Sequence, residues 1–396
     1  MDLTYTPEHD AFRAQLRGWL ASNLPGPMPR PPEERLAFLR AWQRTLADAG
    51  WAAPHWPVEF GGRATGVVEQ MIYHEELALH RAPPLLGAIG VGLLGPTLIT
   101  QGTPEQKTRF LRPMLSADHH WCQGFSEPNA GSDLASLKTR AERQGNVFVV
   151  NGRKIWTSGA QIANWIFALV RTDPDAPKHE GISFLLIDMA SPGIEVRPIK
   201  QISGESEFSE VTFTDVAVPS ENIVGGVNRG WSIAHTALGH ERSTLFLGSA
   251  IRYERIVREL FEMAGAARYH GRPASADPEI RQELARALVD VSIMRTNGLR
   301  TLSAILRDGE PGPQSSIGRL FVSQFEQRLH SVAMRLQGPQ GLLARGSPHA
   351  REKGRWQHGY LRTRASTIGT GTSEIQRNII AERVLGLPTD REHEGR

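Results

Sequence analysis

Apolar positions near the start of the chain repeat at helical intervals. Thr6 stands as an N-cap before Pro7, and Phe12, Leu16, Trp19 and Leu20 follow at helical spacing as far as Asn23. The spacing predicts a second helix from about Pro32, with Leu39, Trp42 and Leu46 on one face and a stop at Gly50, and a third from about Val67 to His80. Thr103-Pro104-Glu105-Gln106 combines an N-cap, a first-turn proline and a capping-box glutamine, so a fourth helix starts there and reaches about Leu115. Beyond Trp121 the texture changes. Segments 146–150, 163–170, 182–187 and 211–218 are short, rich in β-branched and aromatic residues, and separated by Gly, Asp, Pro and Ser clusters. No helix-length pattern lies between them, which predicts a mostly antiparallel β module. Helical periodicity returns after Gly230, at about 231–266, 278–308, 314–336 and 371–385, with breaks at Gly271-Arg272-Pro273, at the Gly/Pro cluster from Gly309 to Pro313, and at the glycines from 338 to 346. The fold class is therefore α+β in several parts: an N-terminal helical domain over 1–120, a middle mostly antiparallel β domain over 121–229 and a C-terminal helical bundle over 230–396. No internal repeat is visible, and the tail after Pro388 is polar.

Composition narrows the class. The 396 residues are 40% hydrophobic and 22% charged, with no apolar run near the roughly 18–20 residues that a membrane span needs, so a soluble globular protein is expected. The single cysteine, Cys122, excludes an intrachain disulfide scaffold, and Asp2, Glu8 and Asp10 argue against a secretory or transit segment, which makes a reducing cytoplasm the expected location. The formal net charge of +3 hides an asymmetry: residues 1–236 carry 21 basic and 25 acidic side chains, residues 237–396 carry 24 and 17. The basic part can attract an anionic ligand or can simply be solvated arginine-rich helix faces. No metal ligand is assigned.

Two segments carry candidate chemistry, and one is a decoy. Gly90-Val91-Gly92-Leu93-Leu94-Gly95 fits GxGxxG, but no strand precedes it, Pro96 follows it, and no acidic residue stands about twenty residues on, so it reads as a glycine-rich helical stretch that permits close packing or leaves room for a ligand. Gln123-Gly124-Phe125-Ser126-Glu127-Pro128-Asn129-Ala130-Gly131-Ser132-Asp133 offers backbone amides freed by glycines and two hydroxyls, suited to a pyrophosphate or a polar ring edge. Trp156-Thr157-Ser158-Gly159 adds an indole beside two more hydroxyls, which can stack on a planar heterocycle.

Phe125 to Asp133 resembles the signature of the acyl-CoA dehydrogenases, and Lys154-Ile155-Trp156-Thr157-Ser158 resembles their second flavin-contacting stretch. Gly371-Thr372-Ser373-Glu374-Ile375-Gln376-Arg377, with Ala381-Glu382-Arg383 after it, is a third match in the same order, and the resemblance covers nearly the whole chain. It implies FAD bound in a dimer, a tetramer or a heteromer with a paralogous subunit, an acyl-CoA substrate, α,β-desaturation to the trans-2-enoyl-CoA, and an electron-transfer flavoprotein as acceptor. It implies that Gln123, Phe125 and Ser126 line the flavin ring, that Gly131 belongs to the cofactor loop, and that Ser132 meets the pyrophosphate or the pantetheine arm. Trp156, Thr157 and Ser158 would lie along the ring. Thr372, Ser373 and Glu374 would contact the adenosine or diphosphate, and Gly338 to Gly341 would be offered to the neighbouring subunit's FAD; a plain helix C-cap is the alternative for this last stretch.

The resemblance also exposes a gap. Removing the weakly acidic α-proton of a thioester requires a base. Many members carry a glutamate just before the C-terminal Gly-Thr, where this chain has Thr370, whose hydroxyl is no base near neutral pH. Some branches place the glutamate on the first helix of the C-terminal domain, and the matching residue is Glu241, in Leu238-Gly239-His240-Glu241-Arg242. Trp231, Ala234, Leu238, Leu245 and Gly248 lie at helical intervals, and Glu241 falls on that apolar face. A carboxylate there is costly unless it is paired or functional. A buried ion pair with an arginine of another helix, or a chain without a base, are the alternatives. Arg242 matches a position that arranges the acyl-CoA, with a structural salt bridge as the alternative, and the amide of Thr370 matches a donor to the thioester carbonyl. Gly239 stands where other members have aspartate, and in Arg268-Tyr269-His270-Gly271-Arg272 His270 replaces a phenylalanine while the arginine is displaced by one. These departures raise two further readings, a non-catalytic or half-site subunit of a heteromeric dehydrogenase and a relative with oxygen-dependent flavin chemistry. Gly90 and Gly92 stand where larger side chains shape the acyl pocket of some relatives, which points to a long, branched or cyclic acyl group.

Overall fold

The computed structural model describes residues 5–29, 31–244, 249–269, 271–309 and 312–388, with the side chains of 238–244 outside that description. Helices α1 (Pro7–Asn23), α2 (Pro32–Asp48), α3 (Val67–Leu79), α4 (Gly95–Gln101) and α5 (Pro104–Leu115) precede the sheet. The capping box at α5 is present: the Gln106 amide donates to Thr103 Oγ1 at 3.2 Å and the Thr103 amide to Gln106 Oε1 at 3.1 Å. Gln106 Nε2 then donates to the carbonyls of Glu221 and Ile223, both at 2.8 Å, which ties α5 to the end of the sheet.

The GxGxxG stretch is helical, a π-turn over Gly90–Leu94 that runs into α4. Its glycines serve packing at two positions and leave space at a third. A Cβ on Gly95 would lie 1.9 Å from Trp56, and one on Gly90 would lie 3.1 Å from Met114 and Trp121, whereas Gly92 has nothing within 4 Å. Gly95→Ala is therefore expected to lower stability by about 1–3 kcal/mol through overpacking against the buried Trp56. Gly92→Ala should not lower it, and thermal unfolding of the two variants compares them directly.

Strands β1 (Trp121–Gly124), β2 (Arg140–Gln144), β3 (Val147–Ser158), β4 (Trp165–Arg171), β5 (Ile182–Asp188), β6 (Ile194–Ile199), β7 (Phe208–Pro219) and β8 (Ile223–Val224) form one sheet. Its order is β6-β7-β3-β2-β4-β5-β8, with β1 pairing β4. Pairing is antiparallel apart from β1 on β4 and the single register pair of β2 with β4. β4 and β5 are buried along nearly their full length, which explains why they read as continuous apolar runs rather than as alternating ones. Four strands escaped the sequence reading. β2, Arg-Ala-Glu-Arg-Gln, buries only Ala141, and β6 is an edge strand carrying Pro198, whose missing N–H an edge tolerates. β1 and β8 are too short to show a period.

The rest is helical: α6 (Gly230–Thr244), α7 (Ser249–Ala266), a small ribbon of β9 (Arg268–Tyr269) with β10 (Arg272–Pro273), α8 (Pro278–Asp308), α9 (Ser315–Gln337), α10 (Arg355–Arg362) and α11 (Ser373–Ile379). The helix expected over 231–266 is thus described as α6 and α7, and the one expected over 371–385 as α11 and a π-turn over Ile380–Val384. The chain groups into two compact units, residues 1–70 with 81–241, and 71–80 with 242–396. The first has a core of inward sheet residues such as Phe148, Val150, Ile166, Val211 and Val218. The second packs Tyr253, Val257, Ile280, Leu284, Phe325, Leu329 and Trp356 from α7 to α10. No helix among the described residues is long and apolar enough to cross a membrane.

Candidate functional site

β1 delivers the signature loop from the sheet interior. Gln123, half-buried, stands opposite Phe167 of the parallel strand β4. At Gly124 a Cβ would come within 2.7 Å of Ile166, so the close approach of the two strands requires glycine. The ring of Phe125 is buried, edge-on to Phe167 and Phe184 with centroids 5.7 and 6.0 Å away. Burial of that side chain contributes about 1.5–3 kcal/mol and anchors the start of the loop.

A buried ion pair holds the loop against β3. Lys154, fully buried, places Nζ 2.8 Å from Glu127 Oε1 and donates to the Phe125 carbonyl at 3.1 Å. The Glu127 carboxylate also accepts from the amides of Lys138 and Thr139, at 2.7 and 2.9 Å. Burial alone would raise the Glu127 carboxyl, but the Lys154 ammonium and these hydrogen bonds outweigh it and hold the group below its ordinary value. Burial pushes the Lys154 ammonium down to about 8 against the pull of Glu127. Sequence reasoning missed both residues as site builders. The signal was available in the strand period, since Phe148, Val150 and Lys154 share the buried face of β3.

Trp156 is presented by a bulge. The β3–β7 register breaks between the Lys154–Val211 and Thr157–Ser209 pairs, and Trp156 lies in that break with φ +60°. A bulky residue in the left-handed region is strained, and such positions concentrate at ligand sites. The bulge leaves the indole 56% exposed and edge-on to Phe208, 6.2 Å between centroids. The Ile155 amide donates to the Ser126 carbonyl at 2.9 Å, which brings the signature loop and the Trp156 bulge together. Ser126 and Ser158 are half-buried, Thr157 is buried with its hydroxyl unpartnered, and Gly131 and Ser132 form an exposed rim with nothing within 4 Å of the Gly131 Cβ position.

The other assigned residues belong to the second unit. Thr370 has φ +52° and its hydroxyl accepts from Arg319 Nε at 2.8 Å. Thr372 caps α11 by accepting from the Ile375 amide at 3.2 Å, and Glu374 pairs with Arg377 at 3.2 Å. Gly338 stands at the C-cap of α9 with φ +55°, and at Gly341 a Cβ would meet Met334 at 3.1 Å. The buried Ser373 hydroxyl, Gln376 Oε1 and Gln337 Nε2 find no partner among the described residues. Buried polar groups left unpaired cost about 1–3 kcal/mol each. Their concentration beside Gly338 and Thr372 in the second unit fits the polar phosphate and sugar groups of a cofactor. In the first unit, taken by itself, the exposed Trp156 indole fits a planar ring. The side chains of Glu241 and Arg242, and His270, lie outside the described residues.

A second feature had no sequence signal. An open cavity of about 650 Å³ in the first unit is lined by Asp173, His179, Asn228, Arg229 and Trp231 among others. The His179 and Trp231 rings lie 4.8 Å apart, and Asp173 spends its carboxylate on the amides of Asp175 and Ala176, at 3.1 and 3.2 Å.

Family models for the N-terminal, middle and C-terminal domains of acyl-CoA dehydrogenase match residues 6–118, 122–216 and 228–385. The chain is 42% identical to acyl-CoA dehydrogenase IpdE1 of Mycobacterium tuberculosis over 96% of its own length and 98% of that protein. Among solved structures, the ChsE4–ChsE5 complex of Mycobacterium tuberculosis is similar with a TM-score of 0.83 at 32% identity, covering 98% of this chain and 100% of the other. The Tcur3481–Tcur3483 steroid ACAD is similar with a TM-score of 0.83 at 31% identity, covering 98% and 100%.

Proposed function

The chain belongs to the acyl-CoA dehydrogenase family, and from that premise we propose that it oxidises a ring-bearing acyl-CoA thioester across its α and β carbons, with FAD as cofactor and an electron-transfer flavoprotein as acceptor. The observation that carries the reading is the bulge at Trp156, joined to the hydroxyl-rich loop by the Ile155 amide and the Ser126 carbonyl, with its indole left exposed. When bound, FAD supplies the acceptor for the β-hydride. Gln123, Ser126, Trp156, Thr157 and Ser158 would hold and cover the ring, Thr372, Ser373 and Glu374 would contact the diphosphate and adenosine part of an FAD, and Gly338 and Gly341 would be offered to the neighbouring subunit's FAD. Glu241 takes the α-proton. The Thr370 amide polarises the thioester carbonyl, Arg242 arranges the acyl-CoA, Ser132 borders the pyrophosphate or the pantetheine arm, and Gly131 belongs to the cofactor loop.

The acyl group is argued from space and from relatives. Gly92 leaves open volume in the first unit, and a similar structure is described as a steroid ACAD. Anaerobic bleaching of the yellow holoprotein by a polycyclic acyl-CoA, with little response to straight chains, is the expected result; a strong preference for a short straight chain overturns the ring-bearing assignment.

The cavity at Trp231 suits the nucleotide end of CoA, with two aromatic rings for a purine and Arg229 for a phosphate. Base–aromatic stacking is worth about 1–3 kcal/mol. Trp231→Ala is therefore expected to raise the half-saturating acyl-CoA concentration by about five- to a hundredfold, with the limiting bleaching rate nearly unchanged in stopped-flow titrations. Heteromeric assembly is the second reading, favoured by the two-protein names of both similar structures. Full flavin content in the protein expressed alone, in a homo-oligomer, would remove its support.

A further inference from the structure

One face of α9 grips the segment that leads to Thr370. Arg319 and Glu326 lie two helical turns apart, with Gln327 beside the latter. Arg319 donates through Nε to Thr370 Oγ1 at 2.8 Å, and through Nη2 to the carbonyls of Ser366 and Gly369 at 2.8 and 2.6 Å. Glu326 Oε2 accepts from the Ser366 hydroxyl at 2.6 Å, and Gln327 Nε2 donates to the Thr363 carbonyl at 3.1 Å and to Thr367 Oγ1 at 3.0 Å. Thr370 at the end of this segment has φ +52°. That is an outlier for a β-branched residue, and it persists only where the surroundings over-determine it. The flanking glycines are held only through their backbones, Gly369 by its amide to the Ala365 carbonyl at 3.0 Å and Gly371 by its carbonyl from Gln376 Nε2 at 3.5 Å. Of these contacts, the one made to the Thr370 side chain itself is that of Arg319, whose planar fork reaches two carbonyls and a hydroxyl at once, a geometry that no lysine ammonium reproduces. It also engages the hydroxyl of Thr370, so the side chain of this residue is held as well as its neighbours' carbonyls.

We propose that Arg319 is a positioning residue, whose guanidinium clamps the Gly369–Thr370–Gly371 turn and presets the Thr370 amide as the donor to the thioester carbonyl. The proposal rests on the acyl-CoA reading of the site. Preset donors stabilise developing charge without reorganising during the reaction. A loosened turn therefore costs rate at saturating substrate more than it costs binding.

The test compares the wild-type holoprotein with R319Q, R319K and the double variant R319Q/T370G. Amide hydrogen exchange of the 366–371 segment is expected to quicken about tenfold or more in R319Q and R319K, with α9 itself unchanged. The limiting anaerobic bleaching rate with a polycyclic acyl-CoA is expected to fall about a hundredfold at nearly constant half-saturating concentration and FAD content. T370G in the R319Q background should leave the rate low, because glycine relieves the strain of positive φ but leaves the turn free to move. Unchanged exchange at 366–371 in R319Q overturns the clamp whatever the activity. Quickened exchange with a wild-type limiting rate overturns its role in the reaction. A protected turn in a wild-type protein that bleaches with no acyl-CoA defeats the acyl-CoA reading, and with it the role of the amide, while the exchange result still identifies the clamp.

Discussion

Glu241→Gln lowers the rate of anaerobic flavin bleaching by about 10²–10⁴-fold, the span that a general base contributes, while FAD content and acyl-CoA affinity stay close to wild type. The expectation starts from a missing group. Thr370 occupies the position where many relatives carry the base, and its hydroxyl is engaged by Arg319 in a turn with φ +52°. The α-proton must leave to some other acceptor. On α6, Ile233, Ala234 and Ala237 are buried, and position 241 lies one turn beyond Ala237 and two beyond Ala234 on the same helix. A carboxylate at that position is the proposed proton acceptor. Glutamine keeps the volume and removes the proton acceptor, so the loss reads chemistry rather than packing. A Glu241→Gln holoprotein that bleaches at the wild-type rate overturns the assignment.

Glu127→Gln and Lys154→Met, each alone, cost about 3–5 kcal/mol, because each leaves a buried charge without its partner. Both are expected to lose flavin during purification, since the pair joins the Phe125–Glu127 backbone to the strand that carries Trp156. The double variant should be milder than the sum of the two, because two neutral side chains leave no charge stranded. Equilibrium unfolding of the four proteins gives the coupling directly, and strictly additive losses would contradict a paired buried site. The pair also sets an acid limit. The Glu127 carboxyl is held below its unfolded value of 4.5, so its stabilisation is complete above about pH 4.5 and is lost as the pH falls through the folded value. Glu127→Gln should flatten that part of the stability profile.

Much of this molecule is written in local pattern. The capping box at Thr103 and Gln106, the ends of α1, α8 and α9, and the β texture beyond Trp121 follow from spacing and turn residues. β2 was illegible because it places charges on most of its positions, and β6 because an edge strand tolerates a proline. The signature loop and the Trp156 stretch were legible as segments, yet their joining by the Ile155 amide and the Ser126 carbonyl is a tertiary fact. So is the grip of Arg319 on a turn about fifty residues away. Part of the basic excess of the C-terminal region is taken up in ion pairs with its own carboxylates. Arg255 and Arg355 with Glu259, Arg335 with Glu279 and Glu283, and Arg377 with Glu374 form ion pairs on helix surfaces, while Arg328 pairs with the buried Asp290. Exposed pairs of this kind are worth little each, and they leave fewer arginines for phosphates than the net charge suggests.

The central claim is α,β-oxidation of an acyl-CoA thioester, and a single turnover tests it most directly. The holoprotein is mixed anaerobically with a polycyclic acyl-CoA, and the bleached flavin and the mass of the acyl product are measured in the same sample. The account predicts an acyl-CoA lighter by two hydrogens in an amount equal to the flavin bleached. An acyl-CoA recovered unchanged from fully flavin-loaded protein, across polycyclic and straight chains alike, would contradict it.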